Sequence, residues 1–493
     1  MENNSGNEET LDPQDWEAMR DLGHHMVDDM LDYLQTVRER PVWHPIAEET
    51  RAKFKEPLPR EPQAPEAVYQ AFKQDILPNP MGNIHPRFWG WVMGNGTPLG
   101  MLAEMLAAGM NPNLGGGDHI ANEVESEVID WCKEMMGFPP GASGLLVSGG
   151  SMANLVGLTV ARNRLAGFDL RKEGMQGNHA RLVLYGSSEM HSSLEKAVEL
   201  LGLGSQALRK IVVNAQYQID LAALQEAIVQ DRSAGFQPFC IVGNAGTVNT
   251  GALDDLEALS EICRREGLWF HVDGAFGALV RLSPKLSGLV AGIEKADSVA
   301  FDLHKWMYMP FEAGCILVRR EEDQRRAFSL TPDYLAHTER GLAGGTHWFS
   351  EYGVQLSRGF RALKVWMSLK EHGSEKYGRM ILQNVNQARY LESLVNESLE
   401  LELLAPVPLN IVCFRYRAAG YTEAALNRLN QELLIRLHES GMAAPSYTTL
   451  EGKYALRAAI TNHRSRREDF AILVREVTRL GLDLVKERFG LDS

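Results

Sequence analysis

A lysine enclosed by apolar residues is a candidate reactive amine, and this chain carries one in Ser298-Val299-Ala300-Phe301-Asp302-Leu303-His304-Lys305-Trp306-Met307-Tyr308-Met309-Pro310. An ammonium buried there without a partner costs free energy or loses its proton more readily. A lysine so held is a nucleophile of the kind that forms Schiff bases with carbonyl compounds. Read alone, His304-Lys305 is more readily a lysine that snorkels from a strand end to water. The stretch Leu268-Trp269-Phe270-His271-Val272-Asp273-Gly274-Ala275 bears on that choice. It reads as a buried strand with Asp273 at its carboxyl end, the edge where open α/β sheets hold ligands. A buried aspartate needs a cationic partner, and a protonated ring nitrogen would serve.

An aspartate for a ring nitrogen and a lysine for an aldehyde are together what pyridoxal 5'-phosphate (PLP) requires. Two more elements fit. Leu145-Leu146-Val147-Ser148-Gly149-Gly150-Ser151-Met152-Ala153-Asn154-Leu155 reads as strand, glycine pair and helix start. Backbone N–H groups and the helix dipole suit a phosphate there, although Ser-Gly-Gly-Ser is also an ordinary turn. Leu182-Val183-Leu184-Tyr185 reads as a strand, followed by a helix with Ser192-x-x-Glu195 as its capping box. His191 falls in the loop between them.

These segments resemble the PLP-dependent group II amino-acid decarboxylases, the aromatic-L-amino-acid, histidine and glutamate decarboxylase-like family. The resemblance runs over most of the chain from about Trp16. It is carried by His85-Pro86-Arg87-Phe88-Trp89, Glu123-Val124-Glu125, Ser148-Gly149-Gly150-Ser151, Glu189-Met190-His191-Ser192-Ser193, Ala245-Gly246-Thr247, His271-Val272-Asp273-Gly274-Ala275, His304-Lys305-Trp306 and Phe360-Arg361-Ala362-Leu363-Lys364-Val365-Trp366, in that order. It implies that Lys305 holds PLP and that His304 sits beside the phosphate. Asp273 would pair with the pyridine nitrogen, Ala275 would pack beneath the ring and His191 would stack on its other face. Thr247 would contact the ring oxygen or neighbouring atoms, and Gly150, Ser151 and Met152 would offer phosphate contacts. The catalytic set is then Lys305, His191, Asp273 and Tyr334.

Tyr334 lies in Phe328-Ser329-Leu330-Thr331-Pro332-Asp333-Tyr334-Leu335-Ala336-His337, which matches the family's mobile catalytic loop. Decarboxylases carry a tyrosine there that protonates Cα, and relatives that deaminate amino acids oxidatively to aldehydes carry phenylalanine. Tyr334 therefore favours simple decarboxylation. Some positions depart from the nearest animal relatives. Asp302 stands where they carry an asparagine near the phosphate, and an acid beside a phosphate is unfavourable unless another group faces it. Val248 replaces a usual hydroxyl residue, and the segment 111–119 replaces a more aromatic stretch. Trp89, Trp91 and Val92 follow His85-Pro86 where relatives line the substrate pocket, and either tryptophan is as readily core. His119 is a polar candidate for that pocket or an ordinary loop residue.

The expected reaction is conversion of an L-amino acid to its amine and CO2, with tyrosine, DOPA, tryptophan or an analogue as substrate. The alternatives are a non-aromatic substrate such as glutamate, aspartate or histidine, and a non-catalytic scaffold on the same fold. A second substrate carboxylate would need a cation, for which Arg87 is the evident candidate.

Composition sets outer limits. The 493 residues suffice for more than one domain. A formal net charge of -14 excludes an extended nucleic-acid surface, and the basic run Arg464-Ser465-Arg466-Arg467 reads as a solvated helix start. Five scattered cysteines without CxxC spacing suggest free thiols, a cytoplasmic location and no metal site. No apolar run reaches membrane-spanning length. The fold class expected is α/β, a PLP-dependent transferase type I fold. Residues 1–89 form an N-terminal helical arm with a Pro-rich segment, and residues 90–374 a large PLP-binding domain with a mainly parallel sheet flanked by helices. Residues 375–493 form a small C-terminal α+β domain. Asp12-Pro13 is expected to cap the arm's first helix. The arm has no core of its own and is expected to pack on a second subunit of a homodimer, as the resemblance implies.

Overall fold

The computed structural model describes residues 9–177, 179–330 and 340–488. Its strands in chain order are β1 (Phe88–Trp89), β2 (Ser143–Val147), β3 (Leu182–Ser187), β4 (Leu208–Ile211), β5 (Gln237–Asn244), β6 (Trp269–Asp273), β7 (Ser298–Asp302), β8 (Gly314–Val318), β9 (Leu401–Leu403), β10 (Ile411–Tyr416), β11 (Ala444–Leu450) and β12 (Lys453–Ala459).

Short apolar runs alternating with amphipathic helices build a seven-stranded sheet in the order β2-β8-β7-β6-β5-β3-β4. From β4 across to β7 the strands run parallel. Only β8 reverses, pairing antiparallel with β2 and β7. Every residue of β2, β3, β6, β7 and β8 is buried. That burial explains why these strands read as continuous apolar runs rather than alternating ones. The fold is α/β with a mixed, mainly parallel sheet flanked by helices.

A five-stranded sheet, β1-β11-β12-β10-β9, forms a second layer system. It is antiparallel except where β1 runs parallel to β11. Its core joins Val412, Phe414 and Leu456 to Leu429 and Leu433 of the helix Glu423–Glu439 and to Phe470 and Leu473 of the helix Arg467–Lys486. The helix Arg361–Glu397 serves both cores. It breaks at Gly373, whose φ of 70° is open to glycine at little cost. Ala362, Val365 and Leu369 before the break pack with the large sheet, and Ala388, Leu391 and Val395 near its end join the smaller core.

Two local expectations are corrected. The first helix, Trp16–Gln35, is capped by Asp15, not by Asp12: the Asp15 carboxylate accepts from the Glu17 and Ala18 N–H groups, each at 3.0 Å. The basic run at 464–467 is not solvated throughout. Arg464 is half-buried and donates to Asn95 O at 2.9 Å, while Ser465 is buried, bonds Pro86 O and receives the Trp89 indole N–H. Among the described residues no helix is long and apolar enough to cross a membrane.

Candidate active site

A cavity of about 490 Å³ opens at the carboxyl edge of the large sheet. Much of its wall comes from residues that end or follow strands of that sheet. Ser148 to Met152 follow β2, His191 follows β3 and Gly246 follows β5, while Asp273 ends β6 and Asp302 ends β7. Crossing from strand to helix at one edge is what brings residues so distant in sequence together.

Lys305 sits on the single helical turn Leu303–Trp306 directly after β7. Its side chain is 22% exposed, and Nζ lies 2.8 Å from Asp302 Oδ2. The amine is therefore partnered: the carboxylate that sequence reasoning set aside from the cofactor group faces it. Among the described residues Asp302 Oδ1 has no hydrogen-bond partner. His304 is buried, with Nδ1 3.1 Å from Ala313 O, and burial lowers its pKa against the opposing pull of Asp302. The turn is held from below by Asn384, whose Oδ1 accepts from Trp306 Nε1 at 3.0 Å and from Tyr308 Oη at 2.8 Å.

Asp273 is buried. Its Oδ2 accepts from Asn154 Nδ2 at 2.9 Å and its Oδ1 from the Ala275 N–H at 3.1 Å. His191 is itself the N-cap of the helix Ser192–Leu200, replacing the expected Ser192–Glu195 capping box. Its Nδ1 accepts from the Ser193 N–H at 3.2 Å. Burial depresses the His191 imidazole below its usual 6.5, with Asp273 opposing. Gly149 leads into the helix Gly150–Leu165 with φ 153°, a conformation suited to glycine. A Cβ at Gly314 would meet Gly149 Cα at 2.6 Å and Asp302 Oδ1 at 2.9 Å. That close approach is what lets β8 run beside the glycine turn.

A model of the pyridoxal-dependent decarboxylase conserved domain matches residues 47–417. The chain belongs to this family. An aromatic-L-amino-acid decarboxylase of Bacillus atrophaeus is 33% identical over 468 residues, covering 94% of this chain and 95% of that protein. A phenylacetaldehyde synthase of Arabidopsis thaliana is 31% identical, covering 97% of this chain and 99% of that protein. A crystal structure of Oryza sativa TDC with PLP and tryptamine matches with a TM-score of 0.88 at 25% identity, covering 96% of this chain and 100% of that one.

This decarboxylase depends on PLP, and the cavity fits that cofactor. Asp273 is a buried carboxylate with two donors and, among the described residues, no side-chain cation in ion-pair contact. Such a carboxylate is suited to accept from a pyridinium N–H. At the start of the helix Gly150–Leu165 the Met152 N–H donates to Gly149 O at 2.9 Å, which leaves the Gly150 and Ser151 N–H groups, without a backbone acceptor among the described residues, as the donors suited to an anion.

Gly150, Ser151, Met152, His191, Asp273, Ala275, His304, Lys305, Trp91 and Val92 all line the cavity. Thr247 does not. It is buried between the lining residues Gly246 and Val248, with Oγ1 bonded to Thr250 Oγ1 and to the Ala252 N–H. His119 lies away from the cavity, its Nε2 3.2 Å from Asn113 O. The tryptophans divide. Trp89 is buried against Phe470 at 4.8 Å between ring centroids, while Trp91 is 57% exposed at the cavity mouth. Tyr334 lies outside the described residues.

Sequence reasoning missed Asn154, Phe276, Ser446, Tyr447 and Arg457 in the lining. Arg457 is buried and bridges the rim. It donates to Asn249 O at 3.0 Å, Trp91 O at 2.9 Å and Ser446 Oγ at 3.2 Å, and also to Val248 O. Burial brings its pKa down to about 10. An arginine inside the apolar run Ala455-Leu456-Arg457-Ala458-Ala459 was the available signal, because such a charge stays buried only when fully bonded.

Proposed function

We propose that this enzyme decarboxylates an aromatic L-amino acid, such as tyrosine, DOPA, tryptophan or an analogue, to the corresponding amine and CO2. The observation that carries this reading is the cavity lining. Trp91, Val92, Phe276 and Tyr447 offer apolar and aromatic surface on the same cavity as Lys305, and such surface suits an aromatic side chain. A glutamate or aspartate substrate would need a free cation for its second carboxylate. Arg457 is committed to four acceptors of the rim. Arg87, the other candidate, donates to Met442 O at 2.6 Å and is not among the lining residues. The similarity to an aromatic-L-amino-acid decarboxylase and to a phenylacetaldehyde synthase supports the aromatic class.

Bound PLP supplies a pyridinium ring that draws electrons from the substrate's Cα. The chain's residues do the rest. Lys305 holds the cofactor through Nζ, Asp273 holds the proton at the pyridine nitrogen, and Ala275 and His191 flank the ring. Gly150, Ser151 and Met152 bind the phosphate with His304 beside it, and Thr247 shapes the wall behind. Trp91 and Val92 orient the substrate ring. Tyr334 delivers the proton to Cα, which separates this enzyme from the aldehyde-forming relatives. The enzyme works as a homodimer whose contact includes the arm, where Trp16, Met26 and Leu31 are exposed. A cytoplasmic location suits its cysteines, all five of which are free and buried.

The test is an absorbance spectrum of the protein with PLP, followed on adding single L-amino acids while CO2 and amine are assayed. A visible band with CO2 and amine from tyrosine, DOPA or tryptophan is the expected result. CO2 from glutamate, aspartate or histidine alone would overturn the aromatic assignment, and no band after adding PLP would overturn the cofactor roles.

A further inference from the structure

One amide sits at the junction of the residues around the cofactor's place. Asn154 lies near the start of the helix Gly150–Leu165 and is 1% exposed. Its Nδ2 donates to Asp273 Oδ2 at 2.9 Å and to Ser193 Oγ at 3.2 Å, and its Oδ1 lies 2.9 Å from His271 Nε2. An amide has two N–H donors and one carbonyl acceptor, so all three functions are spent.

The surrounding groups fix which way the amide faces. The reverse orientation would set Oδ1 against the Asp273 carboxylate, acceptor to acceptor. Oδ1 can only accept, so the proton between it and the histidine is on His271 Nε2. The His271 ring is fully buried, and burial pushes its pKa down to about 3. The neutral ring then accepts at Nδ1 from Ser298 Oγ, 2.7 Å away, and Ser298 Oγ in turn receives the Trp269 Nε1–H at 2.8 Å. Donors thus point in one direction, from Trp269 through Ser298, His271 and Asn154 to Asp273.

A branch leaves at Asn154. Ser193 Oγ, occupied as an acceptor by Nδ2, gives its own hydrogen to His191 Nδ1 at 2.8 Å, where the Ser193 N–H also donates. His191 therefore carries its ring proton at Nε2. We propose that Asn154 is a positioning residue, one amide that orients the Asp273 carboxylate and, through Ser193, the plane and tautomer of His191. This rests on the reading of Asp273 and His191 as the groups on either side of PLP. It adds that the two are set together and not independently. Among the described residues Asn154 alone hydrogen-bonds into both branches, and neither His271 nor Ser193 does so.

The test compares wild type with Asn154→Leu and Ser193→Ala. The readouts are the PLP dissociation constant by absorbance titration, the 15N signals of selectively labelled histidines and far-UV circular dichroism. In wild type, with or without PLP, His191 should show an unprotonated Nδ1 and a protonated Nε2. Asn154→Leu should weaken PLP binding roughly 10- to 100-fold, the span expected when a charged group loses a hydrogen bond. It should also move the His191 signals, although Asn154 does not touch that ring. Ser193→Ala should move the His191 signals while leaving PLP affinity within about threefold of wild type.

A His191 ring protonated at Nδ1 in wild type would overturn the proposal. So would a folded Asn154→Leu protein with wild-type PLP affinity and an unmoved His191. If Asn154→Leu does not fold, the wild-type tautomer and Ser193→Ala still decide. A wild-type protein that takes up no PLP would defeat the cofactor reading instead, and the spectra of the cofactor-free protein would still judge the network.

Discussion

Lys305 and Asp302 define the chemistry at the residue scale. A carboxylate 2.8 Å from Nζ gives the amine a partner before any aldehyde arrives. It also explains how an acid is tolerated beside the glycine turn proposed to hold the phosphate: it faces a lysine. Tyr334 is the residue proposed to decide the outcome of the reaction. If its hydroxyl protonates Cα, removing that hydroxyl should leave binding intact and redirect the product. Tyr334→Phe is expected to cut amine release by roughly 100-fold, within the usual range for a positioned proton donor, and to raise aldehyde formation. Product analysis by chromatography with parallel CO2 measurement checks this. An unchanged amine yield would remove Tyr334 from the mechanism.

At the scale of elements, the parallel strands were legible because burial on both faces leaves an unbroken apolar run that ends abruptly in an acid or a glycine. Asp273 and Gly149 mark such ends, and the cavity is built from them. Helix starts were less legible. The Ser192–Glu195 pattern suggested one cap, yet His191 holds that place, because an imidazole nitrogen can accept the same N–H and no sequence pattern separates the two. Asn154 was invisible for a related reason: a polar residue near a helix start reads as exposed until the facing strand ends are known. The first helix also shows what a sequence pattern cannot decide alone. Its apolar positions are regular, yet Leu22 and Tyr33 are buried while Trp16, Met26 and Leu31 stay exposed. If those three meet a second copy, wild type should scatter light as a particle of twice the 54.9 kDa chain mass. The combined Trp16→Ser, Met26→Ser and Leu31→Ser substitutions should shift it toward the monomer, because apolar area buried on association drives such contacts. A wild-type monomer would end the dimer proposal.

For the whole molecule, buried neutral histidines couple the fold to pH. His85 and His271 are 1% and 0% exposed, and burial pushes their pKa values down to about 4 and about 3. In the unfolded chain both return to about 6.5. Between 6.5 and the folded values the unfolded state binds more protons, so stability falls as pH falls. Each group contributes about 1.4 kcal/mol per pH unit there, or roughly 2 kcal/mol each between pH 6.5 and 5. Two effects oppose this. Asp254 and Asp297 are raised by burial from 3.8, which favours the folded state as they protonate. The net charge of -14 also shrinks on acidification, relieving repulsion over a large surface, but salt screens that term. At physiological ionic strength the histidines should dominate down to pH 5. The urea midpoint of the cofactor-free protein should hold steady from pH 8 to 7 and then drop steadily to pH 5. A midpoint that is flat or rises over that lower range would mean that at least one of these rings is already protonated in the fold. For His271 that would also break the chain of donors reaching Asp273, because a doubly protonated ring cannot accept from Ser298.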